Sequence, residues 1–211
     1  PPESTPPPEP TPPEPPVPVP VPVQPVMHAS GDEAPRVVAS DAFAVRPIDG
    51  RGLAAIARRN IDVNELVICE QPLLRLTPDG EGRFDGKYYR PRDDARMRLL
   101  SLAQDVGGAQ GDAADPMTKV IETNGIVLSG GKSSVVFETV SRLNHDCQPN
   151  CRFEWNEEQE QGTIRVIRPI AAESELSINY GAHSAQLDIR QRHLKSKFGF
   201  RCQCRLCKEQ Q

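Results

Sequence analysis

Short apolar runs separated by turn residues recur along the chain and predict a domain built mainly from β-strands. Six runs rich in Val, Ile and Phe have the length and composition of strands: Ala42–Arg46, Leu53–Arg58, Leu66–Cys69, Arg152–Trp155, Thr163–Ile167 and Leu176–Ile178. Turn-forming segments such as Pro47–Gly50 and Glu157–Gly162 stand between them. We therefore expect a mainly β fold with helical insertions.

Two segments have the apolar spacing of helices. In Pro91–Val106 the apolar positions follow a proline suited to the first helical turn. The second segment, Ser184–Phe198, is followed by Gly199, which is the residue type that most often caps a helix C-terminus. The glycine-rich stretch Val106–Asp115 predicts a loop.

Proline is concentrated at the start of the chain, where most of the 22 prolines lie within Pro1–Pro25. The segment Pro1–Arg36 has no aromatic residue, so it cannot bury enough apolar surface to offset the loss of chain entropy. We predict a disordered, proline-rich arm over Pro1–Arg36 with polyproline-II character. Domains of the SH3 or WW type bind such segments.

The arm carries five acidic residues and one arginine, which account for the net charge of −4.

Composition excludes several classes of protein. No run approaches the roughly 20 apolar residues that span a bilayer, so we expect no membrane association. Beyond the arm, acidic and basic residues balance, which argues against direct nucleic-acid binding through phosphate contacts. No secretory signal pattern is present at the start, so we expect an intracellular location, in the nucleus or the cytoplasm.

The segment Ala182–Gln211 is rich in lysine and arginine and has only two acidic residues, Asp188 and Glu209. Two interpretations stay open for this charge. The basic side chains form a solvated helix face, or they form a surface for an acidic partner.

Three of the six cysteines, Cys202, Cys204 and Cys207, lie within six residues of one another. This spacing is uncomfortable for mutual disulfides but suits ligands that surround a tetrahedral ion, so it predicts a zinc site. Reduced thiols or a redox pair are the alternative. A fourth ligand is required, and the candidates are Cys147, Cys151, Cys69 and the histidines.

Four segments resemble the motifs of SET-domain protein lysine methyltransferases and occur in that family's order. The run Asn144–Asn150 is similar to the N-H-S-C-x-P-N motif, and Glu173–Gly181 to the G-E-E-L-T-x-x-Y segment. Gly50–Leu53 resembles the opening G-x-G, and Cys202–Cys207 resembles the C-x-C-x-x-C post-SET element of the SMYD-like branch. The insert Pro78–Lys132 has no cysteine or histidine, so it lacks that branch's MYND zinc module.

The resemblance implies a SET-type fold of small curved β-sheets, with a threaded C-terminal segment and a zinc-bound post-SET tail. It divides the chain into the arm 1–36, a SET domain over 40–181 and a post-SET helix and tail over 182–211. The implied activity is methyl transfer from S-adenosylmethionine to a lysine amine of a protein substrate, histone or non-histone. The alternative is a catalytically inactive SET-fold interaction module stabilised by zinc.

The resemblance also implies the site residues. Tyr180 would be catalytic, because its phenol oxygen would accept weak CH···O contacts from the transferring methyl group. The implied cofactor-binding residues are Gly50, Arg51, Gly52, Leu53, Asn124, Asn144, His145, Tyr180 and Phe200, with Phe200 preferred over Phe198. Structural zinc would be held by Cys147, Cys202, Cys204 and Cys207. Cys69 and Cys151 would be ordinary thiols, and Trp155 a core residue.

Three positions depart from the family motifs. Asp146 stands where serine is usual and adds a charge beside the cofactor loop. Glu173 and Ser174 stand where glycine and glutamate are usual. If the turn there needs a positive φ, Glu173 costs about 1 kcal/mol or more of local strain.

Overall fold

The computed structural model describes residues 37–39, 41–49, 51–76, 99–102, 116–128 and 133–211. The predicted arm Pro1–Arg36, Gly50 and the predicted loop Val106–Asp115 lie outside the described residues. The predicted helix Pro91–Val106 lies mostly outside them, but Leu99 and Leu100 are described and are helical.

Within the described ranges the chain forms eleven short strands. They are β1 Val37–Ala39, β2 Phe43–Ile48, β3 Gly52–Ala57, β4 Leu66–Glu70, β5 Leu74–Leu76, β6 Ile126–Val127, β7 Ser134–Val136, β8 Asn144–His145, β9 Cys151–Asn156, β10 Gln161–Val166 and β11 Ser177–Ile178. All six predicted strands are confirmed, each within two residues of its predicted ends. The described helices are α1 Pro116–Asn124, α2 Leu187–Phe198, α3 Arg205–Glu209 and a 3₁₀ turn at Val140–Arg142.

The strands form four small sheets. The largest is antiparallel, in the order β1-β4-β10-β9. Strands β2 and β3 form an antiparallel hairpin, and β5-β7-β6 form a three-stranded antiparallel sheet. Strands β8 and β11 form a parallel pair. The predicted mainly β fold with helical insertions is therefore confirmed, while the threaded segment stays an implication of the family resemblance.

One apolar core joins the largest sheet to the segments that carry the predicted site. Its fully buried members include Ile68, Phe137, Leu143, Ile164 and Leu176. Leu143 immediately precedes β8, and Leu176 immediately precedes β11. Burial of these two leucines in the core therefore anchors the starts of β8 and β11, the strands beside the candidate site.

The parallel pairing of β8 with β11 brings two distant parts of the chain together. Asn144 pairs with Ser177, and His145 with Ile178. Asn150 supports the pair, because its Oδ1 accepts from the Ser177 N–H at 2.8 Å and its Nδ2 donates to the Glu175 carbonyl at 2.8 Å.

Glu70 is a buried carboxylate that supports the turn leading to β8. It accepts hydrogen bonds from the backbone N–H groups of Glu138, Thr139 and Val140, at 2.8 to 3.1 Å. These amides open the 3₁₀ turn Val140–Arg142. Burial raises the pKa of Glu70 to about 7, and the three amides oppose that rise.

Two turns have backbone conformations that the sequence anticipated. Gly199 has φ 78° and donates its N–H to the Lys195 carbonyl at 3.2 Å, which confirms it as the cap of α2. Glu173 has φ 62°, so the turn before β11 does require a positive φ.

Among the described residues, no helix has the length and apolar character needed to cross a membrane.

Candidate active site and metal centre

A cavity of about 590 Å³ opens between the end of α1, the segment before β8 and the segment after β11. Tyr180, Leu143 and Phe198 line it. Its lining also includes Ser141 and Asn179, whose buried Oγ and Oδ1 atoms have no hydrogen-bond partner among the described residues. Buried polar atoms are normally paired, so the cavity has both the room and the chemistry to take a ligand.

Tyr180 is fixed in the cavity wall by two hydrogen bonds. Its hydroxyl donates to the Leu143 carbonyl at 2.6 Å, and its backbone N–H donates to Nδ1 of His145 at 3.1 Å. Its ring centroid lies 4.9 Å from that of Phe198. Burial, together with the nearby charge of Glu175, raises the pKa of Tyr180. Tyr180 is therefore a neutral phenol whose proton is committed to a carbonyl and whose oxygen lone pairs are free to accept.

His145 joins Tyr180 to the thiol group. Because Nδ1 accepts from the Tyr180 N–H, the proton of a neutral ring resides on Nε2, which lies 3.3 Å from Sγ of Cys147. Burial lowers the pKa of His145 to about 4, so the ring is neutral. The imidazole therefore accepts from one residue and donates to the other.

Four of the six cysteines meet at one point. The sulfur atoms of Cys147, Cys202, Cys204 and Cys207 all lie within 4.8 Å of one another. Sγ of Cys147 is 3.9 Å from that of Cys202 and 3.5 Å from that of Cys207. A tetrahedral ion with bonds of about 2.3 Å holds its sulfur ligands about 3.8 Å apart, so these distances fit zinc. Among the open candidates for the fourth ligand, Cys147 is the one placed with the other three.

The electrostatics of this group also fit a cation. Burial raises the pKa of Cys202 to about 12 and raises that of Cys147 as well. Burial alone would also raise the pKa of Cys207, but hydrogen bonds from Arg190 and the neighbouring thiols lower it. Four thiolates so close together repel one another unless a divalent cation offsets their charge.

Arg190 is an exception among the basic residues of the segment after residue 182, most of which are exposed. Only 1% of its surface is exposed. Its guanidinium donates to the carbonyls of Ser184 and Ala185 and to Oε1 of Gln210, and Nη2 lies 3.7 Å from Sγ of Cys207. The reason is that α2 packs this face against the cysteine-bearing tail, so the charge of Arg190 faces sulfur rather than solvent.

Two of the predicted cofactor residues meet at Glu175, a residue to which the sequence alone assigned no role. Glu175 accepts from Nη2 of Arg51 at 2.7 Å and from Nδ2 of Asn144 at 2.8 Å. The same Asn144 amide lies 3.4 Å from the Leu53 carbonyl. Glu175 lies within the segment that resembles a SET motif, and this position was the signal available in the sequence.

The glycine of this group that is described, Gly52, has φ 73°. A Cβ atom at this position would meet no protein atom within 4 Å, so the backbone conformation and not packing favours glycine. Gly50 lies outside the described residues. Leu53 is 41% exposed beside Arg51, so an apolar and a cationic side chain stand together at the surface here.

The remaining predicted residues do not all line the cavity. Asn124 lines it, and its Nδ2 donates to the Val120 carbonyl at 2.8 Å. Phe200 is not among the lining residues, and its ring centroid is 6.1 Å from that of His145. Phe198, the less favoured aromatic residue, is the one that lines the cavity with Tyr180.

Comparison with known proteins finds relatives of this chain. The SET domain family model matches residues 50–181. Histone-lysine N-methyltransferase set5 of Schizosaccharomyces pombe is 29% identical over 171 residues, which are 80% of this chain and 51% of that protein. Histone-lysine N-methyltransferase ASHR2 of Arabidopsis thaliana is 32% identical over 90 residues, which are 38% of this chain and 23% of that protein. The chain thus spans about half the length of the first relative and less of the second.

A solved structure of the SET domain of LSMT, bound to lysine and AdoHcy, has a TM-score of 0.51 to this chain at 10% identity. The similarity covers 79% of this chain and 54% of that chain, and it shows a shared fold. The family itself is shown by the family model, which matches more than half of the residues. The chain belongs to the SET-domain family.

Proposed function

We propose that this chain is a protein-lysine N-methyltransferase that uses S-adenosylmethionine as methyl donor. The curated relatives are named histone-lysine N-methyltransferases, which supports a protein lysine as the acceptor. The observation that carries the proposal is the setting of Tyr180: a neutral phenol in the wall of a 590 Å³ cavity, with its proton committed to the Leu143 carbonyl. A nuclear or cytoplasmic location goes with this proposal.

The residues around Glu175 fit the polar end of the cofactor. Arg51 and Asn144 offer a guanidinium and an amide within one hydrogen-bonded group, and Gly52 leaves open space beside them. Phe200 supplies an aromatic face for the adenine ring. When bound, S-adenosylmethionine supplies a methyl group on a sulfonium for in-line displacement by an amine.

Tyr180 would act as an acceptor and not as a base. Its raised pKa keeps it protonated, and its hydroxyl proton already bonds Leu143. Its remaining lone pairs can accept CH···O contacts from an electron-poor methyl carbon. Contacts that strengthen as positive charge shifts during transfer stabilise the transition state more than the ground state.

The cavity also favours the reactive form of the substrate amine. Free lysine has a pKa near 10.4, so the amine must lose a proton before it attacks. Leu143, Ile178 and Phe198 give the cavity an apolar wall, which disfavours an ammonium ion by desolvation. None of the described residues that line it is aspartate or glutamate, so none of them holds the amine in its charged form.

The four thiols would hold a structural zinc ion. Four protein ligands close the coordination sphere and leave no position for substrate. The ion would join the β8 loop, through Cys147, to the tail that carries the other three cysteines. Gln191 strengthens this junction, since it donates to the Cys202 carbonyl at 2.8 Å and accepts from the Cys202 N–H at 3.0 Å. We keep the division into a SET domain over 40–181 and a tail over 182–211 as part of the proposal.

The test is transfer of labelled methyl from S-adenosylmethionine to arrays of lysine peptides and to intact proteins. The proposal predicts label on lysine, with the cofactor bound at micromolar concentrations. Binding of the cofactor without transfer to any substrate would contradict the proposal and would support a SET-fold interaction module. Failure to bind the cofactor would contradict the assignment of the Glu175 group as well.

A further inference from the structure

We propose that the mouth of the cavity selects lysines with acidic neighbours, and that Lys197 sets this preference. The proposal rests on the proposed function, because it assumes that the cavity receives the substrate lysine. It goes further by naming the chemical class of the substrate, a lysine in an acidic segment rather than in a polybasic one.

The first support is the position of Lys197. It lies in the last turn of α2, it is half-buried, and it lines the same cavity as Tyr180. Its Nζ atom is 5.1 Å from the ring centroid of Phe198, whose own centroid is 4.9 Å from that of Tyr180. The ammonium group of Lys197 and the ring of the predicted catalytic Tyr180 therefore both neighbour the ring of Phe198.

The second support is that the charge of Lys197 is not offset by an ion pair. Its ammonium group lies over the Phe198 ring, and no carboxylate of the described residues pairs with it. Burial lowers the pKa of Lys197, which shows that desolvation costs its charged form and that a new carboxylate nearby would relieve that cost.

The third support is the rest of the lining. Arg152 reaches the cavity from β9, His183 from the segment before α2 and His193 from α2, while no aspartate or glutamate occurs among the described lining residues. Arg152 is paired with Glu154 at 2.5 Å. Of the described lysine and arginine residues that line the cavity, Lys197 is therefore the one without a carboxylate partner.

The physical consequence concerns the residues that flank the target lysine. Carboxylates beside that lysine would lie within several ångström of Lys197 and would be attracted, whereas flanking arginines would be repelled. Repulsion of the wrong substrate contributes to selectivity as much as attraction of the right one. The effect must weaken with salt, since the screening length is about 10 Å at 0.1 M.

The experiment compares two peptides that are identical except for the residues flanking a single lysine, two glutamates in one and two arginines in the other. Both fluorescent-peptide binding and kcat/KM for methyl transfer are measured at low and high salt. The wild-type protein should prefer the glutamate peptide by about tenfold at low salt, and the preference should shrink at high salt. Lys197→Glu should abolish or reverse it.

Lys195→Glu is the matched control. Lys195 lies on the same helix turn, is exposed, lies outside the cavity lining, and undergoes the same change of charge. This variant should keep the wild-type preference. Equal effects of the two substitutions, or a wild-type preference for the arginine peptide, would overturn the proposal. Selective binding of the glutamate peptide without methyl transfer would support the role of Lys197 and contradict the proposed function. Methyl transfer without a preference between the two peptides would contradict the role of Lys197 and support the proposed function.

Discussion

Tyr180 and His145 are joined by a hydrogen bond in which the Tyr180 backbone N–H donates to Nδ1 of His145 at 3.1 Å. This bond fixes the imidazole so that its Nε2 faces Sγ of Cys147 at 3.3 Å. The predicted catalytic ring and the thiol group therefore share one neutral histidine. Metal at the thiols would hold this histidine in place and, through it, the backbone of Tyr180.

The first prediction concerns the metal. Purified protein should contain about one zinc ion per chain, and Cys147→Ser should lower the zinc content as much as Cys204→Ser, because each removes one of four ligands. Cys151→Ser is the control, since Cys151 is buried but lies outside the thiol group. Metal analysis checks this. Normal zinc in Cys147→Ser with loss in Cys151→Ser would show that the ligand set is wrong.

The second prediction concerns Glu175 and Arg51. Glu175→Gln should weaken binding of S-adenosylmethionine about tenfold, because Arg51 and Asn144 lose the carboxylate that positions them. In an Arg51→Ala background the same change should have a clearly smaller effect, giving a coupling energy of about 0.5 to 3 kcal/mol by calorimetry. Glu154→Gln, which removes the partner of Arg152, should leave the affinity unchanged. Additive effects of the two substitutions would mean that Glu175 does not act through Arg51.

The third prediction concerns the turn at Glu173. Because its φ is 62°, Glu173→Gly should raise the free energy of unfolding by about 0.5 to 1 kcal/mol. Glu173→Gln keeps the strained backbone and removes only the exposed ion pair with Arg46, so it should change stability by a few tenths of a kcal/mol at most. Urea unfolding of both variants measures the difference. Destabilisation by glycine would show that the turn carries no strain.

The fourth prediction concerns Glu70 and pH. Its pKa is raised to about 7 in the fold, so the folded state binds this proton more tightly than the unfolded chain does. The stability that Glu70 contributes is then present at low pH and is lost as pH rises from about 5 to about 8, by up to about 3 kcal/mol. Unfolding of Glu70→Gln should lack this slope. An unchanged slope in the variant would assign the pH dependence to other groups.

The sequence predicted every described strand of five or six residues and missed five strands of two or three residues, although some of these, such as β7 Ser134–Val136, are rich in valine. The six predicted strands are runs of β-branched and aromatic residues. Strand β8, Asn144–His145, is polar and two residues long, and it exists because β11 pairs with it from more than thirty residues away. Helix α1, Pro116–Asn124, was missed because it begins directly after the segment predicted as a loop.

The candidate site shows the same division. The cysteine spacing and the Asn144–Asn150 motif indicated which residues to examine, and the structure brings four of those thiols together. Glu175 and Arg190 were not assigned, because their importance depends on partners that are distant in sequence or on burial against the tail. Local patterns give residue types, whereas the fold decides which of them face one another.

The catalytic role of Tyr180 is tested with Tyr180→Phe, which keeps the packed ring and removes the hydroxyl that bonds Leu143. Calorimetric affinity for S-adenosylmethionine and the rate of methyl transfer are measured on the same preparation. We expect affinity within about threefold of wild type and a transfer rate at least about tenfold lower, because the oxygen contributes mostly in the transition state. Transfer at the wild-type rate by Tyr180→Phe would contradict the claim that Tyr180 is the catalytic residue.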